Sequence, residues 1–156
     1  MPRGGPVRKK LVEPDLRYGS TVVAKLINQV MEDGKKETAR SLVYKAMDKA
    51  SKSLEAEPLL VLTQALTNIT PKQEVRSRRV GGATYQIPMP VAAERGQTLA
   101  IRWLVSSARS KKGKPFDERM AEELAAAYNG EGTAVKKKDD THKMAEANRA
   151  FAHFRW

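Results

Sequence analysis

Through most of this chain apolar residues return every three or four positions, and the interval changes once. Val22, Val23, Leu26, Ile27, Val30 and Met31 trace one stripe of a helix. Ser20 is placed to cap its start and Gly34 to stand just past its end. A second helix is predicted over residues 37–51, with Ala39, Leu42, Val43, Ala46, Met47 and Ala50 inward. Pro58 suits the first turn of a third, in which Leu59, Leu62, Leu66 and Ile69 pack and which Pro71 stops. After residue 90 the helical interval resumes. Residues 92–110 bury Leu99, Ala100, Trp103, Leu104 and Ala108; residues 117–129 bury Met120, Leu124 and Tyr128, with Gly130 at the end. Gly132 opens the last segment, where Met144, Ala147, Phe151 and Phe154 mark a sixth helix reaching near the C-terminus.

The interruption is residues 73–90, QEVRSRRVGGATYQIPMP. Gly81-Gly82 divides two short segments rich in β-branched, aromatic and threonine side chains, the pattern of a two-residue hairpin. Closing a type I′ turn there pairs Val80 with Ala83, Arg79 with Thr84, Arg78 with Tyr85 and Arg76 with Ile87. Alternation then puts Arg76, Arg78, Tyr85 and Ile87 on one face and Arg79 with Thr84 on the other. The fold class expected is therefore mainly α. Six helices form a single bundle-like domain, residues 18–156, with a two-stranded β-ribbon protruding between the third and fourth. Residues 1–17 form a basic arm ahead of it.

Charge changes what this architecture is for. The 156 residues carry 29 Lys+Arg against 18 Asp+Glu, a net charge of +11. Such a balance implies a polyanionic partner, bound by counterion release at phosphates. An anionic membrane is the competing polyanion, but the basic residues are spread over many segments rather than lining one amphipathic helix. No apolar run approaches a membrane span, and no apolar stretch follows the basic N-terminus as in a signal peptide. There are no cysteines, so disulfides and thiolate metal sites are unavailable. The expectation is a soluble protein of a cytosolic or organellar interior.

The candidate contacts follow from the charge. In the ribbon, Arg76, Arg78 and Arg79 supply guanidinium groups for phosphates, and Tyr85 a ring for stacking on a base. The alternative is a charged hairpin guarded against edge-to-edge aggregation, but lysine would serve that as well and only arginine is used. Residues 1–10, MPRGGPVRKK, hold Arg3, Arg8, Lys9 and Lys10 and no acid; such a tail orders only on binding, or else merely solubilises the terminus. Arg95, Arg102 and Arg109 recur every seven residues on one face of the fourth helix and run on into Lys111, Lys112 and Lys114. Lys35 and Lys36 follow the first helix, and Lys136, Lys137, Lys138, Lys143 and Arg149 lie off the apolar stripe of the sixth. Each set is either an RNA surface or a solvated face. Trp156 is open between core and nucleotide stacking.

Enzyme signatures fail one by one. Gly34-Lys35-Lys36 lacks the first glycine and the closing Ser/Thr of a phosphate loop. His142 and His153, with Asp139 and Asp140 nearby, match no zinc-finger or metalloprotease spacing. No pair of acids and no nucleophile–base pair stands out. No enzyme activity, cofactor, metal or small-molecule substrate is expected.

Five stretches carry a family resemblance: DGKK at 33–36, EVRSRRVGGATYQIP at 74–88, RWLV at 102–105, GTAVKKK at 132–138 and MAEANRAFAHFRW at 144–156. In that order and over nearly the whole chain, they resemble the bacterial and organellar members of the universal small-subunit ribosomal protein seven family. The resemblance implies a structural protein of the ribosome, a primary binder of 16S ribosomal RNA that nucleates assembly of the small-subunit head. It implies a place at the subunit interface near the E site, with the ribbon and C-terminal helix close to messenger RNA and exiting transfer RNA. It further implies small-subunit proteins nine and eleven as neighbours. Carried over by position, the RNA-facing residues are the N-terminal arm, Lys35, Lys36, Arg76, Arg78, Arg79 and Lys136 to Lys138. Two other readings compete. An architectural DNA-binding protein also uses arginine ribbons, although here the tip Val80-Gly81-Gly82-Ala83 lacks the usual proline wedge. An RNA-processing enzyme would need a catalytic constellation that is not seen.

Overall fold

The structure, a computed structural model, describes residues 12–154. Six α-helices and one antiparallel hairpin follow in the order α1 (Thr21–Val30), α2 (Lys36–Leu54), α3 (Pro58–Ile69), β1 (Gln73–Val80), β2 (Ala83–Pro90), α4 (Ala93–Ser110), α5 (Phe116–Tyr128) and α6 (Thr133–Ala147). A short 3-10 turn, Arg149–Phe154, ends the described chain.

The helix ends show why these segments stop where they do. The Ser20 hydroxyl accepts the Val22 N–H and so caps α1. Gly34 does not close α1 as expected. The helix ends at Met31 in extended backbone, and Asp33 and Gly34, both at positive φ, form a separate turn closed by the Lys35 N–H on the Glu32 carbonyl. That is I′ geometry, which Asp-Gly favours. Gly130 does end α5: the Glu131 N–H reaches the Ala126 carbonyl at 2.8 Å and the Gly130 N–H the Ala127 carbonyl at 3.1 Å. From α3, the Asn68 amide donates to the carbonyls of Ala127 and Tyr128, satisfying further groups at the same terminus.

α5 is the centre of the bundle, in contact with α2, α3, α4 and α6. Its alanines allow close approach on several sides, while Met120 and Leu124 are fully buried. The surrounding helices contribute Val23, Leu26, Ile27, Val43, Met47, Leu62, Ile69 and Leu104 to the same core. Burying each large side chain contributes roughly 1.5–3 kcal/mol. Gly96 lets the start of α4 cross the end of α3, since a Cβ there would lie 2.9 Å from Thr70 Cγ2.

Two further sequence expectations change. α6 is buried through Ala134, Val135 and Ala145, while Met144 is 51% exposed and Ala147 is exposed. The helix also stops at Ala147, and the remaining residues tighten into the 3-10 turn. α6 contacts the ribbon, α3, α4 and α5 in succession, so its inward side is set by partners and not by its own hydrophobic period.

Residues 15–18 are fixed to α2. Buried Asp15 accepts hydrogen bonds from the N–H groups of Arg17 and Tyr18 and from the Tyr44 hydroxyl at 2.7 Å. The Arg17 guanidinium makes a two-pronged contact with Asp48, both at 3.0 Å, and packs against the Tyr18 and Tyr44 rings. Burial pushes both phenols above their ordinary pKa, so they remain neutral donors.

Candidate nucleic-acid interface

The ribbon register is Val80↔Ala83, Arg79↔Thr84, Arg78↔Tyr85 and Arg76↔Ile87, as the turn chemistry predicts. Gly81 and Gly82 sit at φ +56° and +91°, the signs that a I′ turn demands. The two faces have different surroundings. Ile87 is fully buried and Tyr85 half-buried, and β2 packs against α6 and the 3-10 turn. Arg76 and Arg78 share that face, Arg76 exposed and Arg78 half-buried. Arg79 is exposed on the opposite face, where Ser77 and Gln86 pair across the strands.

Glu74, the ribbon's one acid, explains how the element joins the helices. Its carboxylate is 3.2 Å from Arg76 Nη2 and 3.4 Å from Arg95 Nη2, and only 14% of the side chain is exposed. One carboxylate therefore holds a ribbon arginine and the first arginine of α4 side by side. From Arg95 the row continues along α4 through exposed Arg102 to Arg109, about 21 Å at the helical rise. Arg109 Nη2 lies 2.8 Å from Glu32 and donates to the Val30 carbonyl, which brings the far end of the row to the turn that carries exposed Lys35 and Lys36. The result is one basic track from ribbon to α1–α2 turn.

Other candidates are placed differently. Lys111 is 2.8 Å from buried Glu123, and Lys114 pairs with Glu122, whose hydrogen bond pushes the ammonium pKa up and the carboxyl down. Lys112, Lys136, Lys137 and Lys143 are exposed, and Lys138 is half-buried, 3.4 Å from Asp139. Tyr85 lies against Phe151, ring centroids 5.1 Å apart. Arg3, Arg8, Lys9, Lys10 and Trp156 lie outside the described residues.

Sequence reading passed over the ribbon's base. The Lys72 N–H donates to His142 Nε2 at 3.0 Å, tying the start of β1 to α6. Beside it lies a cleft of about 600 Å³ that Pro88, Met89, Pro90, His142 and exposed Arg149 help to line. A lone histidine on a charged helix offers no local signal for this role; only its long-range partner does. Among the described residues no group of three or more His, Cys, Asp or Glu is arranged to hold a metal ion, and no helix is long and apolar enough to cross a membrane.

Comparison with known proteins decides the family. The description "Ribosomal protein S7p/S5e" matches residues 2–149. The chain belongs to the ribosomal protein S7p/S5e family. This is a family of ribosomal proteins, not of enzymes. Curated relatives named small ribosomal subunit protein uS7 are similar over nearly their whole lengths. The one from Thermotoga neapolitana is 57% identical over 148 residues, covering 95% of this chain and 96% of the relative. Those from Bifidobacterium longum subsp. infantis and Dictyoglomus turgidum are each 54% identical over 156 residues and cover both chains completely. In S7p/S5e terms, the hairpin between α3 and α4 is an arm of a ribosomal protein, and the arginine track starts at its base.

Proposed function

We propose that this small-subunit ribosomal protein is a primary binder of 16S ribosomal RNA that nucleates assembly of the subunit head. In this reading it sits at the subunit interface near the E site, close to messenger RNA and exiting transfer RNA, with small-subunit proteins nine and eleven as neighbours. Membership of the S7p/S5e family supports the ribosomal setting, and the family resemblance supports the finer placement. The observation that carries the RNA reading is the track itself: Arg76 and Arg95 joined by Glu74, continued by Arg102 to Arg109, with the ribbon tip extending one end. Guanidinium groups set along one line suit a run of backbone phosphates.

The test is binding to a 16S head fragment as a function of salt. With a net charge of +11, some 6–10 phosphate contacts and a log–log slope of magnitude about 4 or more are expected. Replacing Arg76, Arg78 and Arg79 together with alanine should remove roughly two units of slope. An unchanged slope and affinity in that variant would exclude the ribbon as an RNA surface. Equal affinity for duplex DNA would favour the architectural reading instead.

A further inference from the structure

We propose that Arg76 of the ribbon and Arg95 of α4 form one phosphate site, in which both guanidinium groups grip the same backbone phosphate of RNA and Glu74 holds them together from behind. The proposal rests on the reading of the basic track as an RNA surface. It asks nothing new of the ribbon's attachment to the body, which is spread over many contacts. Besides the tie from Glu74 to Arg95, these are the Lys72–His142 hydrogen bond, the Val91 N–H on the Lys72 carbonyl, buried Ile87 and the Tyr85–Phe151 contact. Arg78 and Tyr85 are further engaged as well.

The two arginines use different oxygens of one carboxylate. Arg76 Nε and Nη2 lie 3.2 Å from Oε1, and Arg95 Nη2 lies 3.4 Å from Oε2. Carboxylate and phosphate are matched by the same guanidinium fork, so arginines close enough for one carboxylate to bridge are close enough for one phosphate. Exposure separates the two sides: 14% for the Glu74 side chain, against 58% for Arg76 and 45% for Arg95. The carboxylate is on the covered side and the guanidinium groups are on the open one. Donors remain for a second anion, because among the described residues Arg76 Nη1 and Arg95 Nε and Nη1 make no hydrogen bond. Charge fits too. Two guanidinium groups against one carboxylate leave a single positive charge, which one phosphodiester neutralises. Glu74 thus strengthens RNA binding although it is an acid facing a polyanion.

The test is a double-mutant cycle in the full-length protein, read as affinity and salt slope on the 16S head fragment, with helical circular dichroism to show that each variant is folded. Glutamine at either arginine keeps a polar side chain and removes the charge. Arg76→Gln and Arg95→Gln should each bind about tenfold more weakly, the loss of one charge-assisted hydrogen bond, and each lower the slope by about 0.7–0.9. The double variant should lose little more: about tenfold rather than about a hundredfold in affinity, and still about 0.7–0.9 in slope. Glu74→Gln makes the protein more positive, so charge alone predicts tighter binding; the shared site predicts binding about twofold to fivefold weaker. In the Glu74→Gln background the two arginine losses should add, because nothing holds the pair together. The cycle in the parent decides even if Glu74→Gln fails to fold. Losses that add in the parent, with the slope falling twice as far, mean two phosphates; they overturn the shared site and leave the RNA reading of the track standing. Tighter binding by folded Glu74→Gln also overturns it, since the acid would then be masking the arginines. If neither arginine variant alters affinity or slope, the RNA reading of the track falls and the shared site with it.

Discussion

Lys111 and Glu123 stand 2.8 Å apart, the lysine 32% exposed at the α4–α5 loop and the glutamate fully buried inside α5. The same carboxylate accepts the Ala134 N–H at 2.8 Å and faces the Thr133 hydroxyl at 3.5 Å, so it also caps α6 from a neighbouring helix. A charge assigned from the sequence to RNA is thus engaged in holding two elements together.

Removing one partner of that pair should cost more than removing both charges. Lys111→Ala leaves a buried carboxylate without its cation and is expected to destabilise by about 2 kcal/mol, below the 3–5 kcal/mol of fully buried pairs because the lysine is partly solvated. Adding Glu123→Gln to it keeps the shape and an acceptor while removing the stranded charge, and should restore part of the loss. Urea midpoints of the two single variants and the double variant measure this; strictly additive losses would contradict it.

Gly82 adopts φ +91° with open space around its missing Cβ, so its substitution is limited by backbone strain and not by a clash. Gly82→Val is expected to open the hairpin while the bundle stays intact, because no core residue lies at the tip. Helical circular dichroism should be unchanged and affinity for 16S RNA reduced with all three ribbon arginines present. Parent-like affinity would show that register at the turn is unimportant for binding.

The Tyr44 hydroxyl and Asp15 form one of the links between residues 15–18 and α2. Tyr44→Phe removes the donor and leaves a buried carboxylate with two backbone N–H partners, which should lower stability by about 1–2 kcal/mol. Deleting residues 1–10 should leave thermal stability nearly unchanged, since that stretch holds little apolar surface, yet weaken RNA binding. Thermal melts of the two variants should separate the anchor from the arm; a large loss on deletion would merge them.

The hydrogen bond from Lys49, 2.7 Å away, holds the Asp117 carboxyl below its ordinary pKa. A carboxyl depressed in the folded state contributes stability that is complete above its unfolded value, about 3.9, and lost as pH falls through the folded one. Asp117→Asn should therefore be less stable than the parent near neutrality, and the gap should begin to narrow as pH falls below about 3.9. A gap that does not narrow at all as pH is lowered would assign the effect to packing.

How much of this was legible in the sequence divides along a physical line. Period and punctuation are local. The helices, their bundle-like class and the hairpin register all follow from spacing within about a dozen residues, because turn dihedrals and side-chain alternation are set by neighbours in the chain. Gly81-Gly82 alone determined every cross-strand pair from Val80↔Ala83 to Arg76↔Ile87. What the charges and the outlying apolar groups do is not local. Met144 fits the helical interval of α6 and is exposed, because the neighbours of α6 cover another side of it. Glu74 looked like an isolated acid in a basic ribbon until α4 brought Arg95, 21 positions away, to its second oxygen. Lys49 finds Asp117 at a separation of 68 residues, and Lys72 finds His142 at 70. A charged side chain gains the same solvation from water at any exposed position, so its sequence context carries almost no record of its partner. Only the packing of helices around α5 selects which charges meet, and with them which arginines stand along one track.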